Sequence, residues 1–457
     1  MLSSSHALSR NLLRVSSLSC SSSVLSINKR EYHGTAKREI LPLILGIGVL
    51  AIGRYSWRAV KRMEDEWEEY QWLLQEYETK NGPTNNSISI YPTIAIDLGT
   101  IHLKMAHANP KSEIIANKGG GRFTFAGMVQ PHLGDDELLL GQRAFENQFP
   151  LNGKLLLPYK DPSAIRPVIT EAMLDLLAQK NDTKVRSILT IAPIADLPDE
   201  LFTCLPGATL VPEPVAAIWG AQQQQQPQLL LTGTILVVDI GGFRTTVSMV
   251  QKNVVQTSVS LGFGGELYTD MVVGEILNNS PMLKQDPMAM QRVYMAAISA
   301  VYQYNSHTQA QIHIPFISMD MITRKPQHLD ITISRSIIEQ KVQEQIVQGL
   351  DPSVLSPALP VPTDLATTWM SVLTHVLTHV NSSPQQVNHV LLVGGGAKQQ
   401  MMERSLIKGL QALQGNADTL IVPEGRSEVV ALGAASMLPN YEYSLEKGLV
   451  RILNNDE

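Results

Sequence analysis

The sequence predicts an α/β protein built by duplication, two lobes around a cleft. Thr93–Asp97 (TIAID) is a β-branched run that ends in the turn Leu98-Gly99-Thr100 and resumes as the apolar stretch Ile101–Ala106. Thr234–Asp239 (TILVVD) repeats the arrangement, through Ile240-Gly241-Gly242 into Thr245–Val250. β-Branched residues suit strands and glycine suits the turn between them. A third glycine bend follows the run Val387–Val393, where Gly394-Gly395-Gly396 leads into a helical stretch, Lys398–Leu410. A strand that meets a glycine turn and a helix N-terminus lets backbone N–H groups come close to a phosphate. Asp97 and Asp239 close their strands beside such turns, where a carboxylate holds metal-bound water while the turn cradles phosphate oxygens.

Composition narrows the classes. Of 457 residues 44 % are hydrophobic and 17 % charged, enough to bury cores and too apolar for wholesale disorder. The net charge is −6, from 36 basic and 42 acidic residues, which argues against a general nucleic-acid binder. Two cysteines, Cys20 and Cys204, exclude a disulfide scaffold, and no Cys/His spacing suits zinc.

The first ninety residues read as address, anchor and arm. Residues 1–30 hold eleven serines, four basic residues and no acid, the pattern of a mitochondrial transit peptide, which we place over residues 1–32; a plain Ser-rich tail is the alternative. Residues 33–60 contain Ile40–Gly53, fourteen uncharged residues. At about 1.5 Å each they fall short of a hydrocarbon core near 30 Å, and Tyr55, Trp57, Arg54 and Arg58 extend the run as interfacial anchors. The expectation is one transmembrane helix in the mitochondrial inner membrane, of either orientation because basic residues flank both ends. Residues 61–91 form a helical stalk and linker: in 58–80 Trp67, Tyr70, Leu74 and Tyr77 recur at helical spacing, a surface for an unidentified protein partner or for the chain's own domain. Gln222–Gln226 reads as a surface loop, and 441–457 as a C-terminal tail.

Residues 92–440 resemble the nucleotide-binding domain of the 70-kDa heat-shock chaperones, within the actin and sugar-kinase ATPase superfamily. The matching motifs run in order. Ile96-Asp97-Leu98-Gly99-Thr100 resembles the first phosphate motif, Gly141–Ala144 the segment bearing the catalytic lysine, and Val211–Ala217 the first connecting helix. Asp239-Ile240-Gly241-Gly242 resembles the second phosphate motif and Gly264-Gly265-Glu266 the element after it. Val393–Gly396 resembles the adenosine motif and Gly433-Ala434-Ala435 the closing helix. The resemblance implies ATP or ADP with water-mediated Mg2+, ordered by Asp97 and Asp239. It implies catalytic roles for Glu213, Asp239 and, as a possible substitute donor, Arg244. It implies cofactor contacts from Asp97, Gly99, Thr100, Gly241, Gly242, Gly264, Gly265, Gly394, Gly395 and Gly396, with Tyr302 and Lys398 enclosing the adenine. The small residues of the two connecting helices imply a close crossing at a hinge.

The pattern also departs from the family. Phe145 stands at the lysine that holds the attacking water, and Phe243, Arg244 and Thr246 stand where the second motif has glycine, threonine and aspartate. Ile298, Val301 and Tyr302 replace charged groups of the adenine clamp. Losing one such donor costs about 2.7–4 kcal/mol of barrier. The expected function is a membrane-tethered, nucleotide-responsive chaperone-like or scaffolding module with weak or no hydrolysis. The alternatives are an active ATPase that serves a chaperone, and a structural subunit without nucleotide. The short stretch after the ATPase-like region leads to the expectation of an ATPase-domain-only relative without the family's peptide-binding domain.

Overall fold

Alternation of side chains along two central strands sets the architecture, because each strand is apolar on both faces. The computed structural model describes residues 93–108, 112–116, 122, 124–126, 128–131, 139–140, 153–156, 164–165, 167–169, 186–193, 208–224, 232–319, 324–415, 417–437, 441–446 and 449–454. The predicted transit peptide, membrane anchor, stalk and the Gly141–Phe145 segment lie outside these residues. The described residues belong to one unit, Ile88–Glu457.

The first lobe holds β1 (Thr93–Leu98), β2 (His102–Ala108), β3 (Ser112–Ile114) and β4 (Thr124–Phe125). Further strands are β5 (Met128–Pro131), β6 (Leu139–Leu140), β7 (Gly153–Leu156), β8 (Arg186–Ile191) and β9 (Thr209–Pro212). Its main sheet runs β3-β2-β1-β8-β9, with β4 beside β2, while β6-β5-β7 form a small sheet of their own. The second lobe holds β10 (Thr234–Ile240), β11 (Thr245–Gln251) and β12 (Val254–Leu261), then the hairpin β13 (Gln309–Met319) and β14 (Pro326–Ser334), and finally β15 (Val387–Val393) and β16 (Leu420–Ile421). Its sheet runs β12-β11-β10-β15-β16. The two sheets have one topology. In each the central strand pairs antiparallel with the next strand in the chain and parallel with a distant one, β1 with β2 and β8, β10 with β11 and β15. The duplication read from the sequence is present as this repeated strand order.

Seven helices are described: α1 (Glu213–Gln224), α2 (Glu266–Asn279), α3 (Pro287–Gln303), α4 (Arg335–Gly349), α5 (Leu365–His379), α6 (Gln400–Gln414) and α7 (Val429–Ser436). Local chemistry starts several of them. Asp286 accepts from the N–H groups of Met288 and Ala289 at the head of α3, and Asp364 forms a capping box with Thr367 on α5. The glutamine run is not wholly a loop, since Gln222–Gln224 form the last turn of α1; a helix of small apolar residues extends readily through glutamine. The segment 441–457 carries the hairpin β17 (Tyr441–Glu446) and β18 (Leu449–Asn454).

Three cores result. Ile94, Ile96 and Leu98 face one core in the first lobe. Leu236, Val238 and Ile240 face a larger one with Tyr268, Trp369 and Leu373 in the second. Between the sheets lies a third, where Ala95 and Ala106 from one lobe and Ile235, Val237, Leu391 and Val393 from the other pack with α1 and α7. Asp97 shares the parity of Ala95, and Asp239 that of Ile235 and Val237. Both carboxylates therefore point to the space between the lobes.

Candidate functional site

The predicted glycine bends converge. In the first, Gly99 N–H donates to His102 O at 3.1 Å; in the second, Gly241 N–H donates to Arg244 O at 2.8 Å. The two turns touch, because Phe243 N–H donates to Thr100 Oγ1 at 3.3 Å and a Cβ on Gly242 would overlap Ile101. The third bend closes on the second. Gly394 sits at φ +94°, where a side chain is strained, and a Cβ there would overlap Ile240 O and Asp239 Oδ1. A Cβ on Gly396 would stand 2.8 Å from Gly241 O. Gly264 and Gly265 serve the same junction from the start of α2. Gly265 and Glu266 donate their N–H groups to Gly241 O and Gly242 O at 2.9 and 2.8 Å. The N–H groups of Gly265 and Glu266 thus hold the second turn in shape, and Gly264 and Gly265 act by close packing.

Charge gathers where the bends meet. Strand register places Lys104 directly across β1–β2 from Asp97, and its Nζ lies 2.9 Å from Asp97 Oδ2. Their side chains are 14 % and 8 % exposed. Burial works against the Lys104 charge, but Asp97, with Asp239 and Glu213 behind it, holds the ammonium above the ordinary lysine range. Sequence reading missed Lys104; a lysine set between Leu103 and Met105, at the position facing Asp97 across the glycine turn, is the signal that finds it. Glu213, at the start of α1, and Asp239 both have raised carboxyl pKa values. Burial is the first cause, then repulsion from their neighbouring carboxylates, with Arg244 and Lys104 opposing the shift. Arg244, predicted as a substitute phosphate donor, is partly buried and near enough to both carboxylates to oppose their shift. His102, also missed, is pushed down to about 3 by burial and by Lys104 and Lys398, so it stays neutral. Burial lowers Lys398, which Glu428 supports while Lys104, Arg426 and Arg122 repel it.

Polar braces fix the third bend. Gly394 N–H donates to Arg426 O at 2.8 Å, and Arg426 reaches Ala397 O at 2.7 Å and Glu403 at 2.8 Å. Arg122 binds Glu428 through two hydrogen bonds of 2.7 and 2.6 Å. Of the apolar residues at the family's adenine-clamp positions, Val301 is 9 % exposed and belongs to the second-lobe core; helical periodicity turns it inward with Ala297 and Tyr304. Tyr302 is 57 % exposed. The link from the end of α3 to the third bend is polar: Gln400 Nε2 donates to Asn305 O at 3.3 Å, and Arg335 spans Tyr304 O and Gln400 Oε1. The predicted helix crossing is present. A Cβ on Gly433 of α7 would overlap Ala216 O and stand 2.5 Å from Gly220 N, both on α1.

These residues fit a polyphosphate. Three bends offer close backbone approach, and Lys104, Arg244 and Lys398 supply positive charge. They do not fit Mg2+ in the predicted way, because the Asp97 carboxylate is already paired with an ammonium. Among the described residues no group of three or more His, Cys, Asp or Glu side chains is placed to hold a metal directly. Among them, too, no helix is long and apolar enough to cross a membrane; the predicted span lies outside them. Residues 208–357 match the family model described as Hsp70 protein. The match covers α1, the second glycine turn, Gly264-Gly265 and the β13–β14 hairpin, and supports an Hsp70-like ATPase domain, a kind that in general binds ATP or ADP with Mg2+.

Proposed function

We propose that this protein is a mitochondrial, membrane-tethered nucleotide-binding module whose two lobes close on ATP or ADP, with slow or absent hydrolysis. The observation that carries the reading is the convergence of Gly99, Gly241-Gly242 and Gly394–Gly396 on one junction between two lobes of equal topology. Thr100 and the three bends would hold the phosphates, Lys104 and Arg244 would balance their charge, and Lys398 would flank the nucleoside. The crossing of α1 and α7 at Gly433 and Gly220 gives the lobes a pivot, so nucleotide occupancy changes the surface shown to a partner. Slow hydrolysis follows from the chain's own substitutions. Phe145 supplies no donor for water, and Thr246 offers a hydroxyl where a carboxylate is expected. The transit peptide, the span within 33–60 and the stalk at 58–80 give the tether and the docking arm their candidates.

Melting the purified chain with and without nucleotide tests this. Saturation at about 100 times Kd adds about 2.7 kcal/mol. A shift with little product after a single-turnover incubation is expected. No shift overturns nucleotide binding and favours a structural subunit; a shift with turnover as fast as an ordinary chaperone's overturns the hydrolysis claim.

A further inference from the structure

The cleft holds a fixed cation of its own. Lys104 lies 2.9 Å from Asp97, and both side chains are largely buried. The pairing is a consequence of strand register, since Asp97 and Lys104 are direct cross-strand partners and their side chains share one face of the sheet. Thr190, the partner of Asp97 on the neighbouring strand β8, has its hydroxyl 3.3 Å from Ile96 O and 3.5 Å from Asp97 Oδ1. Asp97 is thereby enclosed between strand neighbours and the ammonium. In the second lobe the equivalent cross-strand partner of Asp239 is Thr246, which carries no charge. The cluster of Asp97, Asp239 and Glu213 meets two built-in cations, Lys104 and Arg244. A hydrated dication beside Asp97 would meet an ammonium already in hydrogen-bond contact with that carboxylate, and like charges repel strongly where water is scarce.

We infer that Lys104 is the resident cation of the phosphate site, and that the cleft takes a nucleoside di- or triphosphate without a divalent metal ion. This rests on the nucleotide reading above. It differs from that reading in naming the form of the ligand, the metal-free polyphosphate, and the residue that makes the metal dispensable. Lys104 binds and balances charge; no bond is made or broken in the step.

Two measurements on the purified full-length chain decide it. In the first, nucleotide-free protein is melted in EDTA and in magnesium chloride. The wild-type chain is expected to melt at the same temperature in both. Lys104→Met is expected to melt lower in EDTA and to recover part of the loss with magnesium, because Asp97 is released to a divalent ion. A magnesium-induced rise in the wild type as large as in the variant overturns the proposal. In the second, a fluorescent ATP analogue is titrated under the same two conditions. Wild-type Kd is expected to agree within about twofold, whereas Lys104→Met loses at least tenfold in EDTA. Wild-type affinity that falls tenfold on removing magnesium overturns the proposal. The wild-type arms stand even where the variant fails to fold. A chain that binds no analogue in either buffer overturns the nucleotide reading, and the metal-only melt then still decides the role of Lys104.

Discussion

The two lobes use the same hairpin for different electrostatic ends. Each has a central strand closing in an aspartate, a glycine turn and an antiparallel return strand, and each points its aspartate at the space between the sheets. The residue across the hairpin differs. Asp97 faces Lys104 and forms a buried ion pair, while Asp239 faces Thr246 and retains a raised carboxyl pKa, with Arg244 close enough to moderate it. A duplicated backbone therefore fixes where a carboxylate sits, and one cross-strand residue fixes whether it is neutralised. The two turns are equal in length, four residues between the closing pairs Leu98–Leu103 and Ile240–Thr245, and the backbone N–H of Phe243 in the second donates to Thr100 Oγ1 in the first.

The most direct way to break the comparison is to remove the cross-strand partner in each lobe. Lys104→Met leaves the largely buried Asp97 carboxyl without its cation, a loss of about 3 kcal/mol. Thr246→Val in the second lobe removes only a hydroxyl and is expected to cost less than about 1.5 kcal/mol. Urea unfolding of both variants checks this; equal losses would mean that the two hairpins are not electrostatically distinct.

A smaller effect is expected at the pivot that joins the lobes. Gly433→Ala forces a methyl into Ala216 O and Gly220 N on α1, and overpacking of this kind costs about 1–3 kcal/mol. Nucleotide affinity should fall with stability, since the helices part. A variant as stable as the wild type would show that α1 and α7 separate freely.

A pH-dependent effect sharpens the second lobe. Burial raises the Glu266 carboxyl from 4.5 to about 7, against the Tyr294 hydroxyl that donates to it and with Asp270 adding repulsion. Between those values the folded chain binds more protons than the unfolded one, so this residue's contribution declines as pH rises from about 4.5 to about 7. Glu266→Gln is expected to flatten that decline. Denaturation midpoints across the window, compared between the two chains, settle it; parallel curves would refute it.

Much of this was legible in the sequence. The strands at Thr93 and Thr234, the glycine bends, Asp97, Asp239 and the small residues at Ala216 and Gly433 are local signals, each set by a turn, a β-branched run or a helix contact. Lys104 and His102 were not singled out, because each has meaning only once the hairpin register and the neighbouring lobe are in place. That Val301 joins the second-lobe core was not legible, because its helical phase depends on which face of α3 that core claims. Gly264 and Gly265 were read as ligand contacts; the fold adds that they let α2 approach the second turn.

The sequence by itself determined the two strand–turn–strand units, the aspartates that close them and the glycines without which the bends cannot form. These follow from short-range sterics and from alternation along a strand. Only the tertiary structure decided that an ammonium neutralises one aspartate and that the three bends share a junction. It alone brought Arg244 near Glu213 and Asp239. Those outcomes depend on residues far apart in the chain and on burial, which strengthens every charge interaction between them.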